Sequence, residues 1–397
     1  MPTLCLNMIV KDEAHIIKET LNLLCNAVKI DYYVICDTGS TDNTVEIITL
    51  FFNELCINGE IFHHIWRDFG HNRSLALECA KNKCDYTFVF DADDYIVGDL
   101  KLLNLEKDSY ILKFGNESNS YQRKCILKSR YPWKYMGVLH EYITCDQPGI
   151  TVGFVGGDYY VVSGKTGSRN KNTNKYLNDA RVLESGFIDS LMTNDGLHSR
   201  YAYYCANSYF DAGIKDKAIE WYQKTLTLDG WFDEKYNSCL KLYQLIPDES
   251  RFYYLVESYS WNPKRVEGIF ELIKYYTIKA KYTLAWKYYT FIQDYYENEY
   301  YPSDGDVSSK LFARVKDYTF YLPYYMIIVC EHLKRHNTGL LMYKLIFKRK
   351  SYQTQWWMDN LMNNLQFYPL TPDINEELTE YIDFVLKNGI TNNSWKC

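Results

Sequence analysis

Residues 3–10, 32–36, 60–66 and 86–90 are short runs of bulky, β-branched and aromatic side chains, the pattern of strands, and those at 32–36 and 86–90 suit strands buried on both faces. Stretches with helical spacing separate them. The first opens at Lys11-Asp12-Glu13 and repeats apolar positions at Ile16, Leu21, Leu24 and Val28. The second carries Thr41, Asp42 and Thr44 in its first turn, and the third covers residues 72–83. Strand and helix in alternation predict a mostly parallel sheet joined by right-handed crossovers, an α/β fold with Asp37 and Asp91 at strand carboxyl ends.

After Asp94 the pattern loosens. Residues 109–114 and 124–128 read as extended, and residues 133–142 as an aromatic-rich segment. A Gly-bounded loop follows, with Lys165, Ser168 and Arg169. From Lys175 the chain reads as helical. Residues 198–228 give a helix, a turn at Asp211-Ala-Gly213 and a second helix with Ala218, Tyr222 and Leu226 on one face. That pair resembles a tetratricopeptide repeat, and residues 261–289 resemble a second, degenerate one. Residues 298–306, with Pro302 and Gly305, read as a loop before further helices. The expected division is an α/β domain over residues 1–170 and an all-α domain over 171–397.

A hydrophobic content of 47% and a charged content of 24% are ordinary for a globular chain, so only the 39 tyrosines change the picture. Tyr stripes such as Tyr275, Tyr276, Tyr288 and Tyr289 are expected in helix–helix cores. A net charge of −6 argues against a nucleic-acid partner. The 12 cysteines include no Cys-x-x-Cys pair, which excludes a zinc ribbon and predicts reduced thiols. The N-terminus reads as a first strand and no apolar run is long enough to span a bilayer, so a cytoplasmic location is expected.

The chemistry concentrates in Asp91-Ala-Asp93-Asp94, at the end of the strand that begins at Tyr86. Carboxylates crowded at a strand's carboxyl end repel one another, and a hard divalent cation with phosphate oxygens neutralises them. A solvated Asp-rich turn is the plain alternative. An EF-hand loop is excluded, because its glycine and glutamate positions hold Ile96 and Leu102. An aspartyl phosphatase would carry a small hydroxyl residue where Tyr95 stands. The turn after the first strand is Lys11-Asp12-Glu13, not Gly-x-Gly-x-x-Gly, so a dinucleotide-binding Rossmann site is not expected.

Three segments in order, Asp37-Thr-Gly-Ser-Thr-Asp-Asn-Thr44, Phe69-Gly-His-Asn-Arg-Ser-Leu-Ala76 and Asp91-Ala-Asp-Asp94, resemble the family 2 nucleotide-sugar glycosyltransferases of the GT-A fold. The resemblance implies that the strand-1 loop, with Val10 and Glu13, and Asp37 hold uracil and ribose, and that Arg73 lies against the nucleotide. It implies that Asp91 faces the ribose or a Mn²⁺ or Mg²⁺ ion, and that Asp93 ligates the ion. His140-Glu141 resembles a Gly-x-x-His-Glu segment of relatives that carry helical repeats, with Glu141 as base and His140 ordering it or ligating the metal. Read from its residues alone, the loop with Lys165, Ser168 and Arg169 either folds over the diphosphate or is a solvated basic turn. Those relatives often carry a His near Ser163, and here the chain departs from them.

The expected activity is metal-dependent, inverting transfer from a UDP-sugar, UDP-glucose or UDP-N-acetylglucosamine favoured, to a protein or glycan acceptor. The helical half would hold that acceptor or a second copy of the chain. One alternative is a catalytically silent nucleotide-sugar domain on an interaction scaffold. A nucleotidyltransferase is the other, and it would normally show a Gly- and Arg/Lys-rich loop after the first strand.

Overall fold

The structure, a computed structural model, describes residues 2–102, 105–116, 120–303, 307, 310–369 and 372–390. The chain divides into two compact units, residues 1–221 and 222–397.

In the first unit β1 (Leu4–Val10), α1 (Ile17–Ala27), β2 (Tyr32–Asp37), α2 (Thr44–Glu54), β3 (Gly59–His63), α3 (Phe69–Ala80) and β4 (Tyr86–Val89) alternate as the apolar pattern predicts. β1 pairs in parallel with β2 on one side and β4 on the other, and β2 pairs in parallel with β3. Val10 lies opposite Asp37, and Asp37 opposite His63, so one edge of the sheet collects these strand ends. Leu6, Met8, Val34, Ile35 and Phe88 are fully or almost fully buried, as strands covered on both faces require.

α1 begins later than expected. Residues 12–15 form a turn in which Asp12 takes a left-handed φ of 55° and the Glu13 carbonyl accepts the Ile16 and Ile17 N–H groups. α3 begins earlier, because Asp68 caps it by accepting the His71 N–H at 2.7 Å. The sheet continues through β5 (Tyr95–Lys101), β6 (Ser109–Gly115) and β7 (Ser120–Lys128). β8 (Trp133–Met136) and β9 (Tyr142–Cys145) form a separate antiparallel pair, and β10 (Val152–Phe154) and β11 (Gly156–Val162) rejoin the sheet. Its order is β3-β2-β1-β4-β7-β6-β11-β5, with β10 beside β6. β7 is antiparallel to both β4 and β6 and β5 is antiparallel to β11, so the sheet is parallel at one end and mixed at the other.

α4 (Lys175–Thr193), α5 (His198–Asp211) and α6 (Lys215–Thr227) follow, and the unit boundary falls inside α6. The Asp211–Gly213 turn is present, with Gly213 at a φ of +75°.

The second unit is helical: α7 (Phe232–Leu245), α8 (Arg251–Trp261), α9 (Glu267–Ile278), α10 (Tyr282–Asp294), α11 (Leu322–His332), α12 (His336–Lys348), α13 (Gln355–Leu365) and α14 (Pro372–Lys387). α7 packs on α8, α9 on α10 and α11 on α12. The loop expected at 298–306 is partly a continuation of α10 as a π-helical turn, Tyr295–Tyr300, and residues 304–306 lie outside the described residues. Tyr236, Tyr289, Tyr296, Tyr318, Tyr343 and Tyr381 are fully or almost fully buried in one core; of the expected stripe only Tyr289 lies in it, with Tyr276 and Tyr288 half-buried against it and Tyr275 half-buried. Their hydroxyls find partners there: Tyr343 donates to the Leu361 carbonyl at 3.0 Å and Tyr289 to Glu297 at 2.7 Å.

A buried ionic knot anchors this core. Arg265, with no exposed surface, donates to Glu267 at 2.7 Å and to the Leu311 carbonyl at 2.8 Å, and Tyr318 donates to Glu267 at 2.9 Å. Arg265→Met leaves the Glu267 charge without its main partner inside the protein, a loss of about 3–5 kcal/mol. Guanidinium denaturation is expected to show a clear fall in midpoint, and Arg265→Met with Glu267→Gln to recover part of it.

Candidate functional site

Strand alternation and three tight turns build the site at the carboxyl edge of β1, β2 and β4. After β2, Asp37 accepts the Ser40 N–H at 3.0 Å, the Gly39 N–H at 3.3 Å and His63 Nδ1 at 3.2 Å. Burial would push its carboxyl up, but these hydrogen bonds outweigh it and hold the pKa below the ordinary value. After β1, Asp12 accepts the Thr41 N–H at 2.7 Å, and Thr38 donates to the Val10 carbonyl at 3.0 Å. The two turns brace each other.

After β4 the carboxylates separate into different electrostatic roles. Asp91 receives Arg73 Nη2 at 2.7 Å on one oxygen and Arg123 Nη2 at 3.2 Å on the other. Burial opposes ionisation, but the two guanidiniums win and lower its pKa. Asp94 is almost fully buried with Arg123 Nη1 only at 3.7 Å, and burial and the Asp91 charge push its pKa up to about 8. Asp93 accepts the Gly167 N–H at 3.3 Å, and burial followed by the Asp91 charge raises its pKa. Glu13 is also raised, by burial and by the nearby Asp93 charge, while it accepts the Ser168 N–H at 3.1 Å on each oxygen.

The loop after β11 therefore lies across Asp93 and Glu13. His15 Nε2 meets the Thr166 carbonyl at 2.8 Å, and a Cβ on Gly164 would fall 1.8 Å from the Asp93 carbonyl oxygen, so only glycine permits this approach. Lys165 is exposed in the same loop. Arg169 pairs with Asp179 and sits over the Phe69 ring at 4.6 Å.

Glu141 joins the site through Arg73, whose Nε lies 2.8 Å from Glu141 Oε1. The β8–β9 connection carrying it is clamped from two sides. Phe69 donates its N–H to the Val138 carbonyl at 3.2 Å, and a Cβ on Gly70 would lie 2.1 Å from the Gly137 carbonyl oxygen. From α5, Tyr201 OH accepts the Val138 N–H at 3.1 Å and Arg200 donates to the His140 carbonyl at 2.8 Å. The His140 ring stacks on Tyr204 with centroids 4.0 Å apart. Crowding by protein, then the positive charges of Arg200, Arg169 and Lys175, lower its pKa, so the imidazole is neutral at pH 7.

The structure thus brings Arg73, Asp91 and Glu141 into direct contact, and Glu13 and Asp93 under one loop. Val10 and Asp37 sit at the neighbouring strand ends. Asp91, Asp93 and His140 do not form a ligand trio with all donor atoms within 4.8 Å among the described residues. Sequence reasoning missed Arg123, His63 and the α5 residues Arg200 and Tyr204. Arg123 stands next to the extended run at 124–128, but nothing in spacing says that β7 pairs beside β4.

Residues 5–106 match the sequence model of glycosyl transferase family 2, a span from β1 past the Asp91–Asp94 turn. No curated protein matches the chain. Among solved structures, S. aureus TarS residues 1–349 is 13% identical, covering 75% of this chain and 93% of that one, with a TM-score of 0.32. A mannosyltransferase from Pyrobaculum calidifontis, solved with GDP-Man and Mn²⁺, is 11% identical over 66% of this chain and 85% of its own, TM-score 0.33. Glucosyl-3-phosphoglycerate synthase from Mycobacterium tuberculosis, solved with Mn²⁺, UDP and glucosyl-3-phosphoglycerate, is 18% identical over 23% of this chain and 34% of its own, TM-score 0.19.

Asp94 gives a pH test of this electrostatic layout. Its pKa rises from the ordinary 3.8 to about 8, so the folded chain keeps a proton that the unfolded chain releases. That penalty on folding grows as pH climbs between those values. Asp94→Asn removes it, and thermal melts are expected to show little change at pH 4 and a gain of about 2–4 °C at pH 8. An equal gain at both would assign the effect to something other than titration.

Proposed function

We propose that this glycosyltransferase moves a sugar from a UDP-sugar, UDP-glucose or UDP-N-acetylglucosamine, to a hydroxyl of a protein or glycan acceptor, with inversion and with Mn²⁺ or Mg²⁺ bound. The observation that supports the reading is that Asp93 and Glu13 lie together under one loop, each with its pKa raised by burial and then by a neighbouring carboxylate. A divalent cation with a pyrophosphate neutralises such carboxylates. Asp93, with Asp91 and His140 as further candidates, would hold the cation, which when bound offsets the charge on the departing diphosphate.

In this reading Asp37 and the turns beside Val10 and Glu13 receive the nucleoside, and Lys165 and its loop meet the diphosphate. Arg73 orients Glu141, which takes the acceptor proton as the acceptor oxygen attacks the anomeric carbon and the bond to the β-phosphate oxygen breaks. The helical unit is read as the seat of the acceptor or of a second copy. The cysteines among the described residues are all free, and no helix there is long and apolar enough to cross a membrane.

A second reading draws on Asp91, whose oxygens are both on guanidiniums: a domain that binds nucleotide-sugars without transferring them. Incubation with Mn²⁺ and a panel of nucleotide-sugars separates the two. Release of UDP from one donor, lost on chelation, is expected; binding without release would favour the silent domain. Asp93→Asn is expected to weaken Mn²⁺-assisted UDP uptake in calorimetry by about ten-fold or more.

Glu141→Gln tests the base. Donor affinity should hold while the transfer rate falls by about 10²–10⁴-fold. Unchanged transfer would remove Glu141 from that role.

A further inference from the structure

One side-chain cluster lies outside the carboxylate site. Cys36 on β2, His64 just after β3 and Cys79 on α3 place their ligand atoms within 4.8 Å of one another, the one such His/Cys/Asp/Glu group among the described residues. Cys79 Sγ lies 3.7 Å from His64 Nε2. We propose that Cys36, Cys79 and His64 form a site for a thiophilic metal ion, Zn²⁺ by preference, with solvent as fourth ligand.

Geometry supports this first. Zn–S bonds of about 2.3 Å and Zn–N bonds of about 2.0–2.1 Å at tetrahedral angles set neighbouring ligand atoms about 3.6–3.8 Å apart. The S···N distance already has that value, and the remaining separations need to close by no more than about 1 Å.

Charge balance agrees. The surrounding layer is apolar, with Cys5, Val34 and Ala80 buried and Phe62 packed beside them. Two thiolates and Zn²⁺ sum to zero, so the loaded cluster introduces no net charge there. Cysteine ligates as thiolate, so metal uptake releases the two thiol protons. Cys36 is buried while His64 and Cys79 are half-buried, which leaves an open side for entry and for a water ligand.

The position gives such a metal a structural task. Strand alternation turns Cys36 to the α3 face and Asp37 to the other, and the His64 N–H donates to the Asp37 carbonyl at 2.9 Å. The metal would pin the end of β2, the start of the β3–α3 connection and the last turn of α3 together. It binds whether or not the sugar-transfer reading holds.

Cobalt titration of the full, reduced chain tests the proposal. A thiolate-to-Co²⁺ charge-transfer band should saturate at one equivalent, release two protons per ion and disappear on adding Zn²⁺. Cys79→Ser and His64→Ala, both at half-buried positions, should each weaken uptake by about ten-fold or more. Asp93→Asn and Cys84→Ser should keep the band, which separates this site from the carboxylates and from the neighbouring thiols. Absence of the band in the native chain, or undiminished cobalt affinity in either ligand variant, overturns the assignment. So does a purified chain whose Cys36–Cys79 disulfide, once reduced, takes up no cobalt.

Discussion

Everything at the carboxyl edge depends on where one guanidinium sits. Arg73 is about one-tenth exposed and lies between Asp91 at 2.7 Å and Glu141 at 2.8 Å, with the Tyr135 ring 5.7 Å from its Cζ. A charge this buried is costly unless both its donors and its field are met. The Asp91 and Glu141 carboxylates supply that field and tie α3, the turn after β4 and the β8–β9 connection together, so the separation of the two acids is set by the reach of a single side chain.

The other carboxylates differ because they lack that partner. Asp91 is kept ionised by two guanidiniums and Asp94 is kept protonated by burial beside it. Asp93 and Glu13 fall between, relying on backbone N–H groups of Gly167 and Ser168. Amides are weaker counter-charges than a cation, so these two acids are the ones whose state responds most to what arrives at the edge.

The parallel half of the sheet was legible because its signals are local. Short apolar runs, helical spacing and turn residues specify β1 to β4 and α1 to α3 without reference to distant residues. The mixed half was less so: β5, with exposed residues at most positions, has no apolar run, and β11 pairs with it from more than fifty positions away in register. Among site residues, Asp37, Arg73 and Asp91 announced themselves by motif. Arg123 and Tyr204 did not, because their contribution comes from pairing of β7 with β4 and from α5 folding back on His140. The Cys36, His64 and Cys79 cluster was invisible for the same reason, since three separate elements deliver one ligand each.

The contacts of α5 carry a practical implication for recombining this protein with others. Arg200, Tyr201 and Tyr204 hold the segment that bears His140 and Glu141, and they lie in the same compact unit as the sheet. A chimera that grafts a foreign helical array directly after the last strand would strip away this buttress. The natural splice point for such grafts lies beyond α5, and a fragment cut before it would keep the strand ends while loosening the segment that bears His140 and Glu141.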